Sequence, residues 1–319
     1  MRSRFPSARP YTADAVREVQ TKTRRRLRVL AAAMPVALTG ALLLAPTASA
    51  GWFLPESGGS PNADGIRTLY ILIAVIGLVI FIGVEGLLIY SMVRFRARKG
   101  RVAAQIHGNT QLEIGWTVGA AAILIFLTVF TFLLLPKIKN PARTDIGLNG
   151  QPVAAVGADF ASTDQPAPPG DNNLNIKVIG QQYSWNFQYP RIDNKRVYAN
   201  NDMYVPVGMT VTLDVESVDV AHSWWIPALG GKADAIPGYT NKMWFKIPLD
   251  AIKQGQSQVV YTGQCAELCG RNHADMVARV IGMRYDDWKA WYDSKAQQLQ
   301  QAETEAANER KKLQSSEGQ

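Results

Sequence analysis

Cysteine is almost missing: 319 residues contain two, Cys265 and Cys269, and histidine occurs three times. One pair cannot staple a domain of this size, which excludes a disulfide framework. No C-x-x-C-H occurs either, so the chain carries no c-type haem of its own. An excess of one charge is lacking where it would count. The chain is +8 overall, but residues 1–50 hold nine Lys/Arg against two Asp/Glu, whereas residues 137–319 hold 19 basic and 20 acidic residues. The excess belongs to the N-terminus and one short loop, which excludes a nucleic-acid surface. Residues 114–136 contain no charge before the lysine that follows them, and no repeat of fixed period runs through the chain.

What is present begins with an export signal. Arg24-Arg25-Arg26-Leu27-Arg28 is a basic stretch, 29–45 is apolar, and Ala48-Ser49-Ala50 is a small-residue cleavage site. Residues 1–50 therefore read as a signal peptide, with an uncleaved anchor as the alternative. No cysteine follows the site, which excludes a lipoprotein anchor there. A periplasmic segment, 51–67, leads into a transmembrane helical hairpin, 68–136. Its two apolar runs, 69–93 and 114–136, are each long enough to span a bilayer as a helix. Between them, the loop 94–110 contains Arg94, Arg96, Arg98, Lys99 and Arg101 and no acidic residue, which places it in the cytoplasm. Everything after Pro136 then faces outward. Glu85 interrupts the first run, and an ionisable group at that depth implies a buried partner or a neighbouring helix.

Residues 137–173 are rich in Gly, Pro, Asp and Ala, with Pro166-Ala167-Pro168-Pro169-Gly170, and read as a linker or insertion. From Leu174 the texture changes to short β-like runs: 174–180, 203–207, 210–217, 242–247, 258–262 and 277–284. Several short strands with turn residues between them argue for a sandwich or barrel. The tail, 286–319, is polar. Trp288, Trp291 and Tyr292 are spaced to pack one helical turn against a partner, and the remainder reads as a helix fraying into disorder.

The two cysteines sit in Cys265-Ala266-Glu267-Leu268-Cys269-Gly270-Arg271-Asn272-His273-Ala274-Asp275-Met276. Two thiols, an imidazole and a thioether within this stretch form a soft donor set, which favours copper over hard cations. His222 supplies a second imidazole just after the strand-like run 210–217. A mononuclear blue-copper site uses one cysteine, so the second cysteine suggests a dinuclear centre. Cys265 and Cys269 would bridge, His222 and His273 would cap, Met276 would be a weak ligand, and the backbone carbonyl of Glu267 fits the remaining position. A small-loop disulfide is the competing reading of the pair, and the fixed spacing of the imidazole and thioether weighs against it. His107 is assigned no role.

These residues resemble subunit II of haem–copper cytochrome c oxidases, the subunit that carries the CuA centre. The resemblance lies in Asp219 to Pro227, in Lys232-Ala233-Asp234-Ala235-Ile236-Pro237-Gly238, and in Gly263-Gln264-Cys265 through Met276. It is looser in the aromatic segment Gln182 to Tyr189 and around Glu113. It implies a membrane-anchored all-β protein: a two-helix transmembrane hairpin followed by a cupredoxin-like Greek-key β-barrel or sandwich at 174–285. It also implies two copper ions held by His222, Cys265, Glu267, Cys269, His273 and Met276, and a Mg or Mn ion shared between the Glu267 carboxylate and subunit I. Subunits I and III, cytochrome c and membrane lipid are the partners so implied. The copper domain would stand on the periplasmic side of a bacterial cytoplasmic membrane. Glu113 matches a glutamate at the mouth of a proton pathway. The family's exposed electron-accepting tryptophan falls here at Tyr183, with Trp185 two residues on, so both are candidates for receiving the electron. Asp214, Glu216, Asp219, Asp234 and Asp275 are candidates for an acidic rim facing a basic donor. A membrane-anchored copper carrier or assembly protein is the alternative function.

Overall fold

The computed structural model describes residues 54–96, 100, 105, 107–153 and 173–317. The signal-peptide reading, part of the basic loop and the Pro-rich centre of the linker lie outside these residues. Among the described residues two helices come first, α1 (Pro61–Arg94) and α2 (Thr110–Lys139), of 34 and 30 residues. Pro61 opens α1 where its missing N–H is no loss. Asn109 caps α2, its side chain accepting from the Leu112 N–H at 3.2 Å. At 1.5 Å per residue both exceed the roughly 30 Å of a bilayer's hydrocarbon core. Their large apolar side chains, from Tyr70 to Leu133, are mostly exposed, a surface that lipid or other membrane helices satisfy and water does not.

Ten strands follow. β1 (Leu174–Gln181), β2 (Ser184–Gln188), β3 (Tyr198–Asn200), β5 (Thr210–Ser217) and β8 (Asn241–Lys246) form a sheet in the order β3-β2-β1-β5-β8. β4 (Asp202–Pro206), β9 (Gln258–Gln264) and β10 (Val277–Met283) form a second, in the order β4-β10-β9. β6 (His222–Trp224) and β7 (Ala233–Ala235) make a short ribbon. β1 pairs in parallel with β5, and β10 with β4, so the chain crosses over instead of meandering. Alternation does the packing: along β1, Leu174, Ile176 and Val178 point inward and are fully buried. They meet Phe187, Leu213, Val215, Met203 and Val280 from both sheets in one core, giving a β-sandwich.

The outer ends of the hairpin are tied to β8. Ser60 Oγ accepts from the Lys246 N–H at 3.0 Å, Asn62 Nδ2 donates to the Trp244 carbonyl at 2.8 Å, and Trp244 Nε1 donates to the Ile138 carbonyl at 3.0 Å. The stretch read as a linker divides in two. Its first part packs on the domain: the Asp145 N–H donates to the Gly208 carbonyl at 2.7 Å, Asp145 pairs with Lys246 at 3.0 Å, and Ile146 bridges Pro152. The centre of the insertion, 154–172, is outside the described residues.

The tail is helical as read, and what differs is the surface its aromatic residues meet. α3 (Tyr285–Glu317) is one continuous helix. Trp288 and Tyr292 are fully buried in the chain's own core and need no partner. The reason lies in β4, an edge strand whose backbone needs partners. The Tyr204 N–H donates to Tyr189 Oη at 2.7 Å, and its carbonyl accepts from Trp288 Nε1 at 3.0 Å.

Candidate metal centre

The β5–β6 connection, the end of β9 and the loop that follows it come together at one end of the sandwich. Backbone bonds lock the loop. The Cys265 N–H donates to the Met276 carbonyl at 2.9 Å, the Ala266 N–H to the Ser223 carbonyl at 2.9 Å, and the Gln264 N–H to the Trp225 carbonyl at 3.1 Å. A 3-10 turn at His273–Asp275 then returns the chain into β10.

Six donors converge there. Cys265 Sγ lies 3.9 Å from His222 Nδ1, 4.0 Å from Cys269 Sγ and 3.2 Å from the Glu267 carbonyl oxygen. Cys269 Sγ lies 3.5 Å from His273 Nδ1 and 3.8 Å from Met276 Sδ. A sulfur–sulfur distance of 4.0 Å is not a disulfide, and both cysteines are free thiols. A tetrahedral site with metal–sulfur bonds of about 2.3 Å has donor–donor edges of about 3.8 Å. These spacings are therefore those of groups that can share metal ions, and the sulfur-rich, imidazole-containing set suits copper. His222 and Met276 are fully buried, Cys265 and Cys269 nearly so, and His273 is half-buried.

Electrostatics prepare the imidazole. His222 Nε2 is 2.8 Å from Asp219 Oδ1, which leaves Nδ1 facing the thiols. Burial raises the Asp219 carboxyl, but hydrogen bonds from the Gln182 N–H at 2.7 Å, from His222 and from the Val220 N–H at 2.6 Å outweigh it and hold the pKa at about 2. Asp219 is thus an anion that fixes the His222 tautomer. Burial, followed by the neighbouring Cys265 sulfur, pushes the Cys269 thiol up to about 11, so metal uptake here displaces protons. The His222 ring sits edge-on to Trp185 with centroids 5.9 Å apart. It also lies against Gly180, where a Cβ would stand 3.0 Å from the ring.

The aromatic segment is bolted to this loop. Tyr183 Oη accepts from the Arg271 N–H at 3.0 Å, and Gln182 Nε2 donates to the Cys269 carbonyl at 2.6 Å. Gly270, at φ +128°, leaves the room: a Cβ there would stand 2.7 Å from Tyr183 Oη. Tyr183 is half-buried at the surface beside Cys269. Trp185 is fully buried, so as a contact for a soluble donor it is corrected to a core residue behind His222.

Other candidates are placed elsewhere. Glu113 lies in the first turn of α2, at the end far from the β-domain. The Glu267 side chain is exposed next to the thiols. Of the acidic rim, Asp214 pairs with Lys242 at 2.8 Å and Glu216 with Lys177 at 2.6 Å, Asp219 holds His222, and Asp234 and Asp275 are exposed. Gln182 joins the site as a residue missed from sequence, because its bond to a loop carbonyl 87 positions away leaves no local trace.

The family model described as cytochrome c oxidase subunit II, periplasmic domain, matches residues 191–282. That described as cytochrome c oxidase subunit II, transmembrane domain, matches residues 48–134. Cytochrome c oxidase subunit 2 of Cereibacter sphaeroides is 30% identical over 258 residues, a match covering 75% of this chain and 81% of that protein. The chain belongs to the cytochrome c oxidase subunit II family. It is therefore a membrane-anchored protein with an extracytoplasmic β-domain. Cytochrome c oxidase subunit 2 of Alkalihalophilus pseudofirmus is 34% identical over 251 residues, and this chain spans 64% of that protein's length. The solved periplasmic domain of subunit II of cytochrome oxidase from Bradyrhizobium japonicum is 31% identical, with a TM-score of 0.35, covering 39% of this chain and 94% of that one.

Proposed function

We propose that this chain is the electron-accepting subunit of a terminal cytochrome c oxidase in a bacterial cytoplasmic membrane. It takes single electrons from cytochrome c and passes them to haem in subunit I, where O2 is reduced to water with proton pumping. The observation that carries this reading is the convergence of His222, Cys265, Glu267, Cys269, His273 and Met276 at donor–donor spacings of 3.2–4.0 Å. Two copper ions, when bound, would supply a centre that takes up and gives up one electron at a time.

The chain's own groups set the conditions. Cys265 and Cys269 would supply two thiolates, His222 and His273 their Nδ1 nitrogens, and Met276 and the Glu267 carbonyl the remaining donors to hold the copper. Asp219 orients His222, while Trp185, Trp224 and Met276, all fully buried, keep water away. Glu267 has a second job: its carbonyl faces Cys265, and its exposed carboxylate is free to bind a hard cation, Mg or Mn, shared with subunit I. Glu113, at the cytoplasmic end of α2, stands at the mouth of a proton pathway. Subunit III is a further partner.

Electron paramagnetic resonance on the copper-loaded, oxidised protein, with metal counted in parallel, tests the reading. The expected result is two coppers per chain and a hyperfine pattern of one electron shared equally between them. One copper with a mononuclear pattern would instead favour a copper carrier or assembly protein.

Tyr183 is an aromatic group at the surface that is joined to the loop of the site, its hydroxyl accepting from the Arg271 N–H two residues after Cys269. Truncating an interface aromatic costs about 1–2 kcal/mol, or about tenfold. Tyr183→Ala is therefore expected to slow reduction by cytochrome c about tenfold at limiting donor, with the copper spectrum unchanged. Stopped-flow reduction at the wild-type rate would move the electron's point of arrival elsewhere.

A further inference from the structure

Both membrane helices hold the β-domain by the same two residues. β8 is the last strand of its sheet, and such an edge leaves backbone groups without a strand to pair with. Two of them are met by the turn that opens α1: Asn62 Nδ2 donates to the Trp244 carbonyl at 2.8 Å, and Ser60 Oγ accepts from the Lys246 N–H at 3.0 Å. The chain at the end of α2 takes the side chains of the same pair. Trp244 Nε1 donates to the Ile138 carbonyl at 3.0 Å, and Lys246 Nζ lies 3.0 Å from Asp145 Oδ1. Ser60, Asn62 and Trp244 are all buried.

The turn that opens α1 also touches the segment that follows His222. Gly59 packs so closely that a Cβ would stand 2.4 Å from the Ala228 carbonyl oxygen. Gly230, at φ +135°, makes the room for Asn62: a Cβ there would stand 2.5 Å from Nδ2. Between this contact and His222 lies Trp225, whose carbonyl accepts from the Gln264 N–H beside Cys265. The start of α1 is thus joined through packed backbone to both chain segments that carry the donor set. Units joined by polar contacts move against one another by default. A hydrogen bond sets a direction, which apolar packing does not.

We infer that Ser60 and Asn62 are positioning residues: they lock β8 and the turn after β6 onto the hairpin, and so fix the height and tilt of the donor set above the membrane, where the electron leaves for subunit I. The inference rests on the oxidase reading above. Electron transfer falls off steeply with distance. A soluble donor follows the domain as it tilts, whereas a haem within the membrane does not. A loosened lock therefore acts on the departure of the electron and spares its arrival.

The test uses the whole complex, purified from membranes, with copper and haem counted. Asn62→Ala is expected to leave the copper content and the rate of reduction by cytochrome c at the wild-type level, and to slow the onward step to haem about tenfold; a misplacement of about 1 Å from a remote change can cost as much as about a hundredfold. Asp145→Asn breaks only the partly exposed pair on the α2 side and is expected to slow the same step about twofold, the scale of a weak ion pair. Hydrogen exchange gives a readout apart from turnover. In Ser60→Ala the Lys246 N–H is expected to exchange about tenfold faster, the scale of one hydrogen bond. Wild-type chain that brings down no haem-carrying polypeptide, or passes no electron to it, would overturn the oxidase reading and this inference together. Given wild-type transfer, an unslowed onward step in Asn62→Ala or Asp145→Asn would overturn the positioning role alone. Unchanged exchange at Lys246 would do so too, as would copper lost in step with transfer, the mark of a purely structural contact.

Discussion

Cys269→Ser is expected to abolish the two-copper signal while the domain stays folded, and Cys265→Ser to do the same. The two sulfurs occupy the middle of the donor set: each lies near one histidine, and they lie 4.0 Å from one another. A hydroxyl is a hard donor that stays protonated near neutrality, so serine cannot replace a bridging thiolate to a soft metal. The loss should exceed the 10–100-fold that a change in an outer-shell partner costs, and is expected to be complete in the spectrum. The fold should survive because the loop is held by the backbone bonds of Cys265, Ala266 and Gln264, none of which needs the sulfur. Resonance spectra, a metal count and thermal melting of the same sample separate the two effects. A serine variant that kept two coppers and the shared-electron pattern would refute the bridging assignment.

The residues that make this prediction possible were legible because they are local. Cys265, Cys269, His273 and Met276 fall on one loop, and their spacing alone brings soft donors together. Asp219 was visible in the sequence as an acid three residues before His222. Its task was not, because orientation depends on where Nδ1 points. The hairpin and the longer strands follow from hydrophobic runs and alternation, and the run read at 210–217 coincides with β5 (Thr210–Ser217). β3, β6 and β7 have three residues each, too few for alternation to register. In β2 the alternation was there, with Trp185 and Phe187 inward, but was read as an aromatic motif. The pairing of Asp214 within the acidic rim was hidden for a reason of register. Asp214 lies opposite Lys242 across β5 and β8, and no single-strand pattern reveals which cation a strand's neighbour brings alongside. Trp288 and Tyr292 failed similarly, since aromatics four apart on a helix look the same whether they meet a partner or the chain's own core.

That last case carries the second large effect. Trp288→Ala is expected to destabilise the β-domain by about 3–5 kcal/mol, the range for removing a fully buried tryptophan. For a domain of this size that is about 10–20 °C in melting temperature. Trp288 is fully buried, stacks at a tilt on Tyr285 and Tyr292 with centroids 5.9 and 5.7 Å away, and donates to the Tyr204 carbonyl on the β4 edge. Tyr292 ties the same helix to the 190–195 loop, its hydroxyl accepting from the Ile192 N–H and donating to the Pro190 carbonyl. Glu303→Ala should by contrast cost no more than about 1 kcal/mol, because it breaks one exposed ion pair, Arg196–Glu303 at 3.6 Å, of a kind worth about 0–1 kcal/mol. The two variants together ask which part of α3 the domain depends on. The geometry makes the first turns part of the sandwich, closing its β4 edge. Calorimetry of both variants decides it. A Trp288→Ala domain that melted with the wild type would mean that the helix docks on some other surface and that the β4 edge is closed without it.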